Sequence, residues 1–324
     1  MSNYTLGSLF AGIGGIDLGF KKVGVNALWA NEIDFYCAET FRANHKDTNL
    51  IVGDICELSC KDLPTVDILA GGFPCQPFSI AGYRKGFEDD RGNLFFQIIR
   101  VLQEFKTEER LPKVVFLENV KNLYNHNNGE TFKLVREELK QLGYYVTEKI
   151  LNTCEYGNIP QNRERLYIVA FLSQKQKNSF VWPNKIKLTN TIDNIIDWDI
   201  DVDKKYYYTP NMKCYPLLSD NVKNKNSIYQ YRRVYIRENK SGVCPTLTAN
   251  MGMGGHNVPL IKDSKDRIRK LTPRECLLLQ GFPRDFNIPK NLCDSRVYKQ
   301  AGNSVSVEVI YRIAKEIIKV LNND

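Results

Sequence analysis

Apolar and polar positions follow two alternating rhythms through the first half of the chain. Tyr4–Phe10 is a short apolar run that ends in the glycine-rich Ala11–Gly15, and Ile16–Val23 follows with helical spacing. Asn26–Ala30 reads as a second strand, Asp34–Asn44 as a second helix and Val66–Ala70 as a short buried strand. Asn93–Phe105 places Leu94, Phe95, Ile98, Ile99 and Leu102 on one helical face. Val114–Leu117 is strand-like, Thr131–Leu142 helical and Leu166–Phe171 strand-like. This alternation predicts a parallel α/β sheet with helices on both faces, whose ligands bind at the carboxyl ends of the strands.

The texture changes after about Leu172. Ser173–Asp266 is rich in Asn, Lys and Tyr, has few long apolar runs, and reads as a smaller strand-and-loop domain. Globular patterning returns at Leu271. A last helix is expected over Val305–Leu321, with Val305, Val309, Ile310, Ile313, Ile317 and Leu321 on its apolar face and Asn303 or Ser304 as its N-cap. No repeat is visible.

Composition narrows this picture only modestly. The 324 residues are 43% hydrophobic, enough for a substantial core in one large domain or two smaller ones. No secretory leader and no apolar stretch of membrane-spanning length is visible, so a soluble, cytoplasmic protein is expected. The formal charge of +8 suits a polyanionic partner, and equally a basic surface without one. Nine cysteines without a paired Cys-x-x-Cys spacing, and only three histidines (His45, His126, His256), leave no expected metal site.

Phe10-Ala11-Gly12-Ile13-Gly14-Gly15 follows a strand and opens a helix, where bare backbone and free N–H groups can meet a carboxylate or phosphate. Glu32 lies about 20 residues on, where an acid commonly accepts ribose hydroxyls, and Asp54 stands at another expected strand end. A nicotinamide dinucleotide site or a tight structural turn would look similar. Gly71-Gly72-Phe73-Pro74-Cys75-Gln76-Pro77-Phe78-Ser79 makes a stiff loop after the strand Val66–Ala70, because each proline pushes its predecessor toward extended geometry. A buried cysteine in a proline turn is the plain alternative to a nucleophile there. The strand Val114–Leu117 ends in Glu118-Asn119-Val120, which a parallel sheet can bring to the same edge. In Gln161-Asn162-Arg163-Glu164-Arg165 the two arginines alternate, so both are expected to point inward.

These segments, together with Gly302-Asn303-Ser304-Val305, Arg269–Cys276 and Gln280-Gly281-Phe282-Pro283, resemble the ordered motif set of the cytosine-5 DNA methyltransferases, from about Leu6 to Val309. The resemblance implies an α/β, Rossmann-like S-adenosylmethionine-dependent methyltransferase fold with a mixed sheet. Residues 1–175, completed by 296–324, would form the catalytic domain, and residues 176–295 an inserted target-recognition domain. S-adenosylmethionine would be held by Phe10, Gly12, Gly14, Gly15, Glu32, Ile33, Asp54, Ile55, Pro74, Asn303 and Val305. Ile33 stands where some relatives carry an aromatic against the adenine. Cys75 would be the nucleophile, Glu118 the acid at ring nitrogen 3, kept protonated by burial, and Arg165 the contact to the base carbonyl. Asn119 would orient the pocket and Arg163 hold the Cys75 loop.

The partner implied is double-stranded DNA, bound by a monomer. The target atom is out of reach inside a duplex, so the base must flip out. Gln76 and Ser79 are candidate contacts near the flipped nucleotide. Further contacts are expected from the aromatic-and-cation stretch Tyr229–Arg237, through Arg232, Arg233 and Arg237, and from Thr246, Leu247, Thr248, Asn250, Gly254 and His256. The pair Thr246-Leu247 resembles the family's recognition hallmark. Two rivals stay open: a tRNA cytosine-5 methyltransferase of the same superfamily, and a non-catalytic DNA-binding regulator. The target sequence is not legible.

Overall fold

The computed structural model describes residues 4–61, 63–74, 94–232, 234–251 and 258–323. The chain forms two units. One comprises Met1–Leu151, Glu164–Asn184 and Val309–Asp324, and the other Asn152–Arg163 and Lys185–Glu308.

The first unit is built on a sheet of seven strands: β1 (Thr5–Leu9), β2 (Asn26–Glu32), β3 (Asn49–Val52), β4 (Ile68–Gly72), β5 (Val114–Val120), β6 (Tyr145–Asn152) and β8 (Glu164–Phe171). Their spatial order is β3-β2-β1-β4-β5-β8-β6. The strands from β3 to β5 run parallel, and β8 runs antiparallel to β5, so the sheet is mixed. Strand residues alternate between two apolar layers. On one face Leu9, Leu69, Val115, Leu117 and Ile168 pack with the helices Leu94–Thr107 and Glu130–Gln141. On the other, Phe20 of α1 (Gly15–Lys21) meets Phe116 edge-on, and Gly19 lies against Ile310 of the helix Val307–Asn322. Helices therefore cover both faces, as the alternation predicts.

The C-terminal helix begins at Val307, two residues later than the sequence suggests, and Asn303 ends the preceding helix Asp294–Asn303 instead of capping the next. Strands β3 and β6 were not visible in the pattern.

The second unit carries a four-stranded antiparallel sheet, β10 (Tyr235–Asn239), β9 (Ile228–Arg232), β12 (Leu260–Lys262) and β13 (Ile268–Lys270), in that order. A separate parallel pair joins β7 (Gln161–Asn162) to β11 (Cys244–Pro245). Tyr229, Leu218, Val222, Leu260 and Ile268 form its small core beneath the sheet. The observed division departs from the expected boundaries. Residues 152–163 and 296–308 fall in the second unit, where Gln161 bonds Leu279 and Arg163 bonds Leu247, Gly302 and Ser304, and residues 176–184 fall in the first.

Candidate active site

At the carboxyl edge of the large sheet the chain leaves β1 through a strained turn. Phe10 has φ of 52°, and Gly12 and Gly14 have φ of 58° and 83°, a region that side chains other than glycine enter at a cost. Glu32, at the end of β2, accepts hydrogen bonds from the N–H groups of Gly12 and Asp34, both at 2.7 Å. Burial raises its carboxyl above the usual range, and these donors work against that rise. Asp54 follows β3 and accepts from the N–H of Cys56. A Cβ added at Gly12 or Gly53 would meet nothing within 4 Å, so bare backbone borders open space beside Glu32 and Asp54. Ile33 is 64% exposed and Phe35 is exposed two positions on, whereas Ile55 is packed into the core. A cradle of this form, with two carboxylates beside bare backbone and exposed apolar side chains, fits a nucleoside cofactor.

Behind the turn lie two groups that carry no signal in the sequence. The His45 ring stacks on Phe41 at 4.4 Å, hydrogen-bonds the backbone of Ile13, and fills the space a Cβ on Gly14 would take. Burial, with Lys21 nearby, pushes this imidazole down to about 4. Asp17, wholly buried in α1, accepts from Ser8 Oγ at 3.2 Å, and burial raises its carboxyl to about 7.

Next along the edge, Gly72 at the end of β4 pairs in register with Glu118 on β5, and a Cβ on Gly72 would sit 3.4 Å from Glu118 Oε2. Asn119 Nδ2 donates to the carbonyl of Phe73 at 2.9 Å, and the Phe73 ring packs on Phe95. Pro74 is exposed. The strand end thus places Gly72 beside the buried Glu118 carboxyl group and ties Phe73 to Asn119. Cys75, Gln76 and Ser79 themselves lie outside the described residues. Arg165 Nε stands 3.2 Å from Glu118 Oε1.

The arginine pair separates at this point. Arg165 belongs to the first unit, whereas Arg163, 2% exposed, lies in the second and donates to the carbonyls of Leu247, Gly302 and Ser304. Both side chains are largely buried, but they meet different partners: Arg163 occupies the one-residue break between β7, which ends at Asn162, and β8, which starts at Glu164 and carries Arg165. Gln161, which carried no assigned role, donates to the Leu279 carbonyl and accepts from the Leu247 N–H. Gln280 in turn donates to the Ala301 carbonyl. Gly302 lies so close to Thr248 that a Cβ would fall 2.2 Å from its carbonyl. Asn303 is exposed and Val305 buried, both in the second unit. Leu247 departs from the expected DNA-facing role, since its side chain is buried and its backbone is held by Gln161 and Arg163.

The sequence model of the C-5 cytosine-specific DNA methylases matches residues 4–319. The chain belongs to this family. Among its relatives, the Type II methyltransferase M.Bsp6I of Bacillus sp. (strain RFL6) is 51% identical over 318 residues, covering 97% of this chain and 98% of that protein. M.HhaI of Haemophilus parahaemolyticus is 36% identical over 328 residues, covering 97% and 94%. Among solved structures, a mutant of Spodoptera frugiperda DNMT2 superposes with a TM-score of 0.74 at 23% identity, over 97% of this chain and 99% of that one. S. pombe Dnmt2 does so with 0.74 at 21%, over 98% and 99%. At these identities the structures establish the shared fold alone.

The methylase therefore transfers a methyl group from S-adenosylmethionine to carbon 5 of cytosine in DNA. The curated relatives do not favour the tRNA-directed and regulatory rivals. Among the described residues no cluster of three His, Cys, Asp or Glu could hold a metal ion, and no helix is long and apolar enough to cross a membrane.

In the methylase's second unit the stretch Tyr229–Arg237 is a hairpin and not one strand. Tyr229, Tyr231 and Ile236 pack on the small core, while Arg232 and Arg237 stand on the opposite side and are exposed. Thr246 donates to the Asn162 carbonyl, and Thr248 to Asn250 Oδ1. Arg233, Gly254 and His256 lie outside the described residues.

Proposed function

We propose that Cys75 adds as a thiolate to carbon 6 of a flipped cytosine, while Glu118 gives a proton to ring nitrogen 3. The ring becomes an enamine whose carbon 5 is nucleophilic, and one difficult step is split into two. S-adenosylmethionine supplies an electrophilic sulfonium methyl. Glu32 holds its ribose, Asp54 its adenine amino group, and the glycine turn its carboxylate, with Phe10, Ile33, Ile55 and Pro74 bordering it. Arg165 fixes the Glu118 carboxyl group and meets the carbonyl oxygen of the base. Arg163, Asn303 and Val305 act through the segments they brace. A base then removes the proton from carbon 5, and Cys75 leaves.

One observation carries this reading. Gly72 stands opposite Glu118, and Asn119 holds Phe73, so the chain entering the Cys75 loop starts beside the acid. The second unit supplies sequence recognition for a short duplex site. The enzyme acts as a monomer in the cytoplasm, as the modifying arm of a restriction-modification system. A target duplex carrying 5-fluorocytosine tests the chemistry, because fluorine cannot leave as a proton. The stalled complex is expected to yield a Cys75-linked peptide by mass spectrometry. Its absence overturns the addition mechanism. Methylation sequencing of DNA from cells expressing the chain identifies the site.

A further inference from the structure

The hairpin β9–β10 has two unlike faces. One is committed to the core, through Tyr229, Tyr231 and Ile236. The other presents Gln230, Arg232, Arg237 and Asn239, with Arg237 directly across from Gln230 in the strand register. This face walls an open cavity of about 260 Å³ that Asn162, Pro245, Thr246 and Thr248 also line. Among the described residues no carboxylate lines it, so two guanidinium charges face the space without an acid beside them. Arg232 is also held in place, since its Nη2 donates to Gln230 Oε1 at 2.9 Å.

A guanidinium fixed by a neighbouring amide has lost part of its rotamer freedom, and it keeps donors of its planar fork for a ligand. The complement of such a fork is a pair of acceptors side by side. Among base edges in the major groove, guanine alone offers two acceptors, N7 and O6, and no donor. A phosphate would also attract two arginines, but it needs neither a recessed pocket nor amides beside it.

We propose that Arg232, oriented by Gln230 and assisted by Arg237, reads the N7 and O6 edge of a guanine that flanks the target cytosine. The proposal rests on the second unit acting as the recognition unit. It makes Gln230 a positioning residue that the sequence reading did not name.

The test uses the full chain and its own methylation site, once sequencing has defined that site. Each flanking guanine is replaced in turn by 7-deazaguanine, which pairs normally but lacks the N7 acceptor. For the wild type, kcat/KM is expected to fall about tenfold to a hundredfold at one guanine. Arg232→Ala should show that loss on the unmodified duplex and no further loss at that guanine. Arg232→Lys should not rescue it, because a point charge does not replace a fork. Gln230→Ala should relax discrimination at the same position. Unfolding temperature and S-adenosylhomocysteine affinity should stay unchanged in all three variants, which separates the effect from misfolding. The proposal is overturned if Arg232→Ala keeps wild-type sensitivity to every 7-deazaguanine. It is equally overturned if the loss is uniform across sequences with a shallower salt dependence, the mark of a phosphate contact, or if the site holds no such guanine. Failure of the wild type to methylate any DNA would instead count against the recognition and catalytic reading.

Discussion

Arg165 reaches Glu118 across the seam between β8 and β5, its Nε 3.2 Å from Oε1. In the register Arg165 pairs with Val120, and Glu118 with Tyr167, so the contact runs diagonally along the pair. Direction makes this possible. An antiparallel β8 starts where β5 ends, which places its first residues at the carboxyl edge beside the acid. A parallel strand would carry Arg165 to the opposite edge.

Replacing Glu118 by Gln keeps the shape and removes the acid. Single-turnover methylation should fall roughly 10²–10⁴-fold, the usual worth of general-acid help. S-adenosylhomocysteine affinity by calorimetry should not change. A rate within about tenfold of wild type would assign the proton at ring nitrogen 3 to another group.

Glu32 holds the glycine turn through the N–H groups of Gly12 and Asp34, and in the proposed reading it also holds the cofactor ribose. Hydrogen bonds to a charged group contribute roughly 1.5–3 kcal/mol, so Glu32→Ala should weaken S-adenosylhomocysteine binding about tenfold to a hundredfold. Calorimetry showing wild-type affinity would refute that role.

Gly302 has no room for a side chain, since a Cβ would sit 2.2 Å from the backbone of Thr248. The contact is with backbone, and the Arg163 guanidinium ties the two segments together through the carbonyls of Leu247 and Gly302. Gly302→Ala should therefore cost roughly 1–3 kcal/mol of stability, as overpacking does. Thermal unfolding reads this directly, and an unchanged midpoint would mean that the two segments can part freely.

Asp17 and His45 impose opposite pH dependences. The Asp17 carboxyl rises from 3.8 to about 7 on folding, so the native chain binds the extra proton and stability falls as pH climbs through that window. The His45 imidazole drops from 6.5 to about 4, so the unfolded chain binds the extra proton and stability falls as pH descends through that window. Asp17→Asn should gain unfolding temperature over the wild type progressively from pH 4 to 7. His45→Gln should lose its disadvantage relative to the wild type as pH falls below 6.5. Parallel curves for wild type and variant would remove the corresponding group from the account.

Local pattern by itself determined much of this protein. Helical and strand periodicities located β1, β2, β4, β5, β8 and most of their helices, since each buries one regular face. The glycine turn, Glu32 and Glu118 were placed at strand ends by the pattern, and the structure puts them there. Tertiary structure decided the rest. Short β3 offers only the brief run Leu50–Val52, and half-exposed β6 mixes polar and apolar positions, so only their neighbours make them strands. Arg163 and Arg165 look equivalent two residues apart, yet a strand break sends one to the backbone carbonyls of the second unit and the other to Glu118. Leu247 read as a recognition residue until its burial showed it to be a brace, and Gln230 acquired a role only when the hairpin register set it across from Arg237. Sequence periodicity reports which face of an element is apolar. Which polar groups then meet depends on strand direction and register, and those are fixed by contacts between residues far apart in the chain.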